Sequence, residues 1–517
     1  MSRSSFQQIV EAIPAARQED ARHYGVHPYF TRRPANVVRE YIKAYSRTGD
    51  TVLDPFGGTG VTAIEAFLLG RIGIQNDLNP FANFIAKNIA DTSLPSLAPL
   101  RDAFVKVKED CQDDICAIEH EGKAQAFLKK LKLPQNIRLP KTSDAEFFYD
   151  MFTPHQLAGI GVIKESIERY STGIIKDLLL LAWSASIAKL NKTFLSAKGR
   201  AESRGGSSIF SIYRYKIASE TVELPIWETF EGRFSNVLAA KEEVLRIRDY
   251  HRTKDPEALD SRKAFKVYSE DATKLGEVLK SGSVDYIFTD PPYGGFITYL
   301  DLSVLWNHWL GFPVSEEARQ NEIIVGGECE HSEDHYKKNL AKSIKASLRL
   351  LKPDRWYSIV FQHWDISYFS TILETADSCG ADLKTAITQT GDVIWSMHKK
   401  KNSESVLAGE MILTFHKPAS AKKHNRQPKV EPKDPERVLR EVFDSCLNNG
   451  VEIFTSEALF NRLIIELWHR RALNCLSLDR DEFAIQLKGR GWDYNEEKHV
   501  WTMGAKEHAH IGQIGLL

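Results

Sequence analysis

Cysteine is scarce in this chain: six residues, Cys111, Cys116, Cys329, Cys379, Cys446 and Cys475, among 517. None belongs to a C-x-x-C pair and no His/Cys group stands at ligand spacing, so a metal centre is not expected and the thiols read as reduced, in a cytoplasmic protein. Net charge is nearly absent too, at -1, with a pI of about 7.0. Any surface for a polyanion must then be a local patch. Long hydrophobic runs are missing. The strongest, IIKDLLLLAWSASIAKL from Ile174, is interrupted by Lys176 and Asp177 and is too short for a bilayer, so it reads as a buried helix and no membrane partner is expected. The stretch MSRSSFQQIVEAIPAARQED has no apolar core of the signal-peptide kind. Internal repeats and long low-complexity tracts are also lacking.

What remains is ordinary globular composition, 42% hydrophobic and 26% charged. The length exceeds what one compact core holds, and two or three domains are expected. Residues 34–90 read as helix, strand, glycine loop, helix, strand: RPANVVREYIKAYS, DTVLDPF, GVTAIEAFLLG closed by Gly70, and RIGIQND. That is the opening of a parallel α/β sheet. Residues 92–261 turn mostly helical, with FTPHQLAGIGVIKESIERY opening on Thr153 as cap and Pro154 in the first turn. Strand patterning returns at FKVYSED and VDYIFTD. A helix (HYKKNLAKSIKASLRLL), a turn, the strand WYSIVFQHW, a helix near Ile366–Ser378 and the strands DLKTAITQT and GEMILTFHK follow. The expected organisation is one sheet domain split between 1–91 and 262–418, a helical insertion at 92–261, a Pro- and Lys-rich linker at 419–435, and a small C-terminal helical or winged unit at 436–517.

Two stretches carry chemistry. In LDPFGGTG, Leu53 to Gly60, glycines between a strand and a helix permit tight turning and close approach of a ligand, with free N–H groups at the helix start behind them. The next strand ends at Asp77, where an acidic residue would take ribose hydroxyls, so a nucleoside-containing cofactor is expected. Asp54 at the loop entrance and the missing Lys-Ser/Thr of a P-loop disfavour a polyphosphate. A cationic ligand suits them better, and the ammonium and sulfonium of S-adenosyl-L-methionine provide one. The second stretch, TDPPY, ends a predicted buried strand with an acceptor-only carboxylate, Asp290, and the Pro291 carbonyl on a rigid backbone. Two acceptors converging on one point suit an amino group, and Tyr293 offers a flat face to stack an extruded base.

The pair DPFGGTG and DPPY resembles motifs of the S-adenosylmethionine-dependent amino-methyltransferases that make N6-methyladenine or N4-methylcytosine in DNA. HPYFTRRPANVVREYI from His27, NDLNP from Asn76 and SEDATKL from Ser269 resemble three further motifs, in order, over about 25–100 and 262–418. The resemblance implies a doubly wound, mostly parallel, Rossmann-like methyltransferase sheet, with the helical insertion and a small C-terminal α/β domain added. It carries cofactor contacts to His27, Tyr29, Asp54, Pro55, Phe56, Gly57, Gly58, Gly60, Asp77, Leu78, Asp271 and Ala272, with Asp77 on ribose and Asp271 on the adenine amino group. Catalysis falls to Asp290, Pro291, Pro292 and Tyr293. DNA is the implied partner, together with a restriction or phage-defence protein if the chain serves such a system. One departure stands out: about 190 residues separate Asp77 from Asp271, which in the family lie close. That insertion is a candidate DNA-recognition region, with Lys198, Arg200 and Arg204 of SAKGRAESRGG as phosphate contacts; Arg470, Arg471, Lys488 and Arg490 make the C-terminal unit a second candidate. The function expected is site-specific DNA methylation at the amino group of a flipped base, adenine N6 ahead of cytosine N4 because the motif begins with Asp rather than Ser. A tRNA guanine-N2 methyltransferase, which shares a DPF loop and a DPPYG, and a non-catalytic DNA-binding subunit of a modification or defence complex are the alternatives.

Overall fold

A computed structural model of the chain describes residues 6–16, 21–120, 122–195, 206–389 and 410–419, and in the C-terminal part 437–438, 440–442, 453–454, 456–473, 480–489, 491–496 and 500–503. Lys198, Arg200, Arg204, Arg490, Cys446, Cys475 and nearly all of the expected linker lie outside these residues. Among those described, Cys111, Cys116, Cys329 and Cys379 are free thiols, no group of His, Cys, Asp and Glu is arranged to hold a metal, and no helix is long and apolar enough to cross a membrane.

The strands in chain order are β1 (Thr51–Asp54), β2 (Ile72–Asn76), β3 (Phe194–Leu195), β4 (Gly206–Ser207), β5 (Phe265–Tyr268), β6 (Val284–Thr289), β7 (Leu351–Phe361), β8 (Asp382–Gln389), β9 (Glu410–Lys417), β10 (Ile453–Phe454), β11 (Trp492–Asn495) and β12 (Val500–Met503). Seven form one sheet in the order β5-β2-β1-β6-β7-β9-β8. Neighbours from β5 to β7 run parallel, and β9 is antiparallel to both β7 and β8. The strand order reverses between β1 and β6, which creates the crevice at the carboxyl ends where open α/β sheets place ligands. The sheet is therefore doubly wound, mostly parallel and Rossmann-like. It draws strands from both sides of the long helical segment, because β5 pairs with β2 from Gly73↔Phe265 to Asn76↔Tyr268.

Alternation along the central strands fills two cores. Tyr286 and Phe288 of β6, with Val52 of β1, enter a core shared with the helix Ala35–Tyr45 and with helices between 98 and 252. Ile287 and Leu53 point the other way, into a core with the helices Glu333–Leu350 and Ile366–Ser378 and the C-terminal unit. All six residues of β6 are buried, as a central parallel strand requires. The Thr153 cap and Pro154 start of the helix Pro154–Tyr170 form as expected, with a capping box to Gln156. Gly173–Ile187, the strongest apolar run, is a buried helix. In the C-terminal unit the helix Ser456–His469 accompanies an antiparallel β11–β12 hairpin. One expectation needs correction. The turn anticipated before Trp356 is absorbed into β7, whose register against β6 jumps between Val284↔Leu351 and Tyr286↔Trp356. The extra residues wrap Asp285, whose carboxylate accepts from Lys352 Nζ at 2.7 Å and Arg355 Nε at 3.1 Å.

The helix behind the glycine loop, Val61–Leu68, lies so close to β2 that a Cβ added to Gly73 would stand 2.2 Å from the Ala63 carbonyl oxygen. Backbone faces backbone there, so neither partner can rotate away. Gly73→Ala is expected to cost about 1–3 kcal/mol. Chemical denaturation measures it; a loss within error of zero would mean that helix and strand separate freely.

Candidate active site

β1 and β6 are parallel neighbours, with Val52↔Tyr286 and Leu53↔Ile287 paired, so their final carboxylate-bearing turns emerge side by side. Thr289 joins them: its Oγ1 donates to Asp54 Oδ1 at 2.7 Å, and Asp54 Oδ1 also accepts the Phe56 N–H at 3.0 Å. The glycine loop then bends over β2. The Gly57 N–H donates to the Asn76 carbonyl at 2.8 Å and Gln75 Nε2 donates to the Gly58 carbonyl at 2.9 Å. At the end of β2, Asp77 Oδ2 accepts the Gly58 N–H and Oδ1 the Asn79 N–H, each at 2.8 Å. A cleft of about 910 Å³, measured out to its mouth, runs along these carboxyl ends. Its walls include Tyr29, Thr31, Arg32, Asp54, Gly57, Gly58, Asp77, Leu78 and Glu322. A Cβ on Gly58, where φ is +50°, would point at the Tyr29 ring 3.6 Å away and begin to fill the cleft.

A smaller pocket opens from the same rim, lined by Asp290, Pro291, Pro292, Tyr293, Phe296 and Ile297. Thr31, Arg33, Asp290, Pro292 and Tyr299 line both spaces. Asp290 is doubly engaged. Its Oδ1 accepts the Tyr293 hydroxyl at 2.5 Å and its Oδ2 accepts Arg33 Nε at 2.5 Å. Arg33 Nη2 donates to the Tyr293 hydroxyl at 2.9 Å, and Nη1 pairs with Glu410 at the start of β9. The Tyr293 ring stands edge-on to Phe361 at 5.2 Å, and the Pro292 carbonyl accepts from the Tyr336 hydroxyl.

The comparisons with known proteins bear on this arrangement. Residues 8–88 match the family model described as DNA methylase, which spans the HPYF segment, the glycine loop and Asp77. The type II methyltransferase M.MjaII of Methanocaldococcus jannaschii is 22% identical over 391 residues, 65% of this chain and 71% of its own. M.MvaI of Kocuria varians is 21% identical over 317 residues, 59% of this chain and 62% of its own. The chain is thus similar to DNA methylases over residues 8–88 and, at 21–22% identity, to type II methyltransferases over about two thirds of its length. Among solved structures, the TTHA0409 protein of Thermus thermophilus in complex with S-adenosyl-L-methionine overlaps 34% of this chain and 63% of its own, at 16% identity and a TM-score of 0.17. A geranyl diphosphate methyltransferase in complex with SAM gives 35% and 65%, at 8% identity and 0.19. The fold assignment rests on the strand order of the sheet rather than on these overlaps.

Of the residues singled out from the sequence, the structure brings Tyr29, Asp54, Pro55, Phe56, Gly57, Gly58, Asp77, Leu78 and Ala272 to the large cleft, Pro291 and Tyr293 to the small pocket, and Asp290 and Pro292 to both. His27, Gly60 and Asp271 are not among the lining residues. His27 is packed edge-on against Phe81 and Trp306, and burial lowers its pKa to about 3, so it is a neutral core residue. Asp271 Oδ1 accepts the N–H of Thr273 two residues on, while its neighbours Glu270 and Ala272 face the cleft. Gly60, at φ +88°, starts the helix against Ala86. Thr31, Arg32, Arg33, Tyr299, Glu322 and Glu410 are additions that sequence reasoning misses. Arg33 stands within the HPYFTRRP segment, yet nothing local marks its partners, which lie 257, 260 and 377 residues away.

Three carboxyls around the cleft are held above their ordinary range, each chiefly by burial: Asp54 at about 7, Asp77 at about 6 and Glu322 at about 8. Hydrogen bonds from Thr289, Thr62 and Phe56 to Asp54, from Asn79 and Gly58 to Asp77, and from Leu300 to Glu322 only partly offset it. A carboxyl whose pKa rises on folding contributes stability below its unfolded value near 3.8, and loses it as pH climbs through the folded one. For Asp54 that loss falls between about pH 4 and 7. Asp54→Asn, which carries no charge, is therefore expected to raise the melting temperature of the unliganded protein at pH 8 by roughly 2–4 °C relative to the native chain, with little change at pH 4. Scanning calorimetry at both pH values decides it; equal shifts would mean that Asp54 ionises without penalty.

Proposed function

We propose that this protein methylates DNA, transferring the methyl group of S-adenosyl-L-methionine to the exocyclic amino group of a flipped base, with adenine N6 the favoured position. The observation that carries the reading is the shared rim: Asp290, Pro292, Thr31 and Tyr299 line both the cleft over the glycine loop and the pocket around Tyr293. A donor bound in the first space and a base in the second would meet at Asp290. The family match and the two type II methyltransferase relatives support DNA as the nucleic acid. Asp rather than Ser at position 290 is the basis for adenine over cytosine.

The cofactor fits the large cleft in kind. Gly57 and Gly58 leave room for close backbone approach, Asp77 is an acceptor for ribose hydroxyls, and Asp54 is a buried carboxyl suited to an ammonium. S-adenosyl-L-methionine supplies, when bound, a methyl group made electrophilic by its sulfonium. The chain's own part is orientation. Asp290 would accept an N–H of the target amine and the proline backbone would fix the rim, so that the amine's lone pair is freed and turned toward the cleft where the donated methyl group would lie. The surplus proton leaves to water. The amine is paired inside the duplex, hence the base must be extruded to reach Asp290.

We further infer that the sheet segments 1–91 and 262–418 act as one catalytic unit and that 92–261 reads DNA. Supporting this, β3 and β4, which flank the basic stretch in sequence, pair Phe194↔Ser207 and Leu195↔Gly206. Just beyond, Phe210 packs at 5.7 Å on Phe30 and 5.6 Å on Trp306, beside the Tyr29 wall of the cleft.

The test is transfer of labelled methyl from S-adenosyl-L-methionine to unmethylated genomic DNA and to unmodified tRNA, followed by nucleoside mass spectrometry. N6-methyladenine in DNA is expected, with Asp290→Ala slowing transfer by at least about 10³-fold while still binding cofactor. N4-methylcytosine would correct the base, and label in tRNA alone would overturn the DNA reading.

A further inference from the structure

The atoms assigned to the target amine are already engaged. Asp290 Oδ2 is taken by Arg33 Nε at 2.5 Å, and Arg33 reaches the Tyr293 hydroxyl as well, at 2.9 Å. A guanidinium N–H and an exocyclic amine N–H are the same kind of donor, so both cannot use this oxygen in the same way at once. The guanidinium carbon also lies 5.7 Å from the centroid of the Tyr293 ring, the face on which an extruded base would stack. Arg33 is thus positioned where a base would enter, with Asp290 on one side and Glu410 on the other.

We propose that Arg33 is a displaceable stand-in for the target base, held on Asp290 until a base enters and retained by Glu410 when it is displaced. The inference rests on the reading of Asp290 as the acceptor for the target amine. Two features make displacement feasible. First, a charge pushed off a buried partner is costly unless a second partner keeps it, and Glu410 is such a partner, ion-paired to Nη1 while Nε serves Asp290. Second, Arg33 immediately precedes Pro34, which starts the helix Ala35–Tyr45, so its backbone is fixed and the exchange needs only side-chain rotation. While it is in place, Arg33 keeps the carboxylate and the Tyr293 hydroxyl in register and keeps free amines off Asp290. A base must then bring enough binding energy from its DNA to win the exchange, which makes Arg33 a specificity device as much as a support.

The alternative is a purely structural ion pair that stays put during the reaction. The two predict different signs. If Arg33 competes with the base, Arg33→Met removes the competitor and lowers KM for DNA, and Glu410→Gln removes the retaining partner, tightens Arg33 on Asp290 and raises it. Steady-state transfer to unmethylated genomic DNA with the full chain is expected to show KM falling about three- to tenfold in Arg33→Met and rising by a similar factor in Glu410→Gln. The double variant should match Arg33→Met, because Glu410 has nothing left to retain. Calorimetric titration with S-adenosyl-L-methionine checks that each variant is folded. Should Arg33→Met fail that check, Glu410→Gln decides alone, with a raised KM supporting the proposal and an unchanged one overturning it. A KM that rises or stays level in Arg33→Met, or effects of the two substitutions that simply add, would overturn it too. A native protein that labels no DNA would remove the reading beneath it, and a native protein that labels DNA while the variants behave as structural would remove only the stand-in.

Discussion

The two motif-bearing turns of this molecule are tied to each other by a hydrogen bond between neighbouring strands, from Thr289 to Asp54 at 2.7 Å. Parallel β1 and β6 lie in the middle of the sheet, buried on both faces, where a polar side chain has few partners to choose from. Thr289 is fully buried and precedes Asp290; Asp54 is 4% exposed and precedes the glycine loop. The bond therefore links the ends of the two strands from which the large cleft and the small pocket open. A one-residue shift of β6 would turn Thr289, and one of β1 would turn Asp54, to the opposite face and break the relation. Orientation catalysis needs reacting atoms placed to a fraction of an ångström, and a rigid link between the two motif-bearing turns is the structural means to that end.

The helical segment is attached to this framework through buried charge as well as apolar packing. Lys241, on the long helix Ile226–Arg252, donates to the carbonyls of Asn88, Ile89 and Asp91, the unsatisfied end of the helix Pro80–Ala90. Arg248, a further two turns along, donates to the carbonyls of Thr92 and Leu94. His23 bridges the same long helix to the sheet unit, with Nδ1 at 2.7 Å from Glu243 and the N–H at 2.9 Å, while Glu65 behind it accepts from Tyr24 and Arg39. Cations that cap carbonyl ends in the interior are hard to replace, because removing one leaves acceptors stranded. The helical segment is docked onto the sheet at the residues where the chain leaves it, near 92, and returns, near 261, where Ser261 and Thr92 exchange hydrogen bonds at 3.0 and 3.1 Å.

Much of this is legible in the sequence where the signal is local. Strands with continuous apolar runs, the glycine loop, the Thr153 cap and the DPPY turn all act through near neighbours, so periodicity and turn chemistry identify them. The return of the sheet after 260 is legible because a parallel sheet demands further strands. What escapes is set by tertiary contact. The Arg33 partners lie on β9 and beyond β6, Glu322 reaches the cleft from a loop after the helix Glu316–Asn321, and the β7 irregularity lies beside Asp285, which Lys352 and Arg355 reach from it. His27 misleads for the same reason: a histidine in a motif segment reads as a contact residue, but Phe81 and Trp306, brought together from 225 positions apart, enclose it.

The carboxylates along the rim are distributed so that its two ends differ chemically. Asp54, Asp77 and Asp290 follow parallel strands β1, β2 and β6, and Glu410 joins them because β9 is antiparallel and begins where the others end. Four acids on one edge would repel one another in a poorly solvated cleft. The conflict is resolved differently at its two ends. At the Asp290 end a resident cation, Arg33, pairs with both Asp290 and Glu410. At the Asp54 end the donors are neutral, from Thr289, Phe56 and Thr62, and burial drives the carboxyl up to about 7. A site whose carboxyl is reluctant to ionise alone gains most from a ligand that brings its own positive charge, whereas a neutral donor can replace the arginine at the other end only because the displaced cation keeps Glu410 as a partner. On the proposed function the cationic cofactor would take the first end and the uncharged amine the second, held apart by the order of the strands.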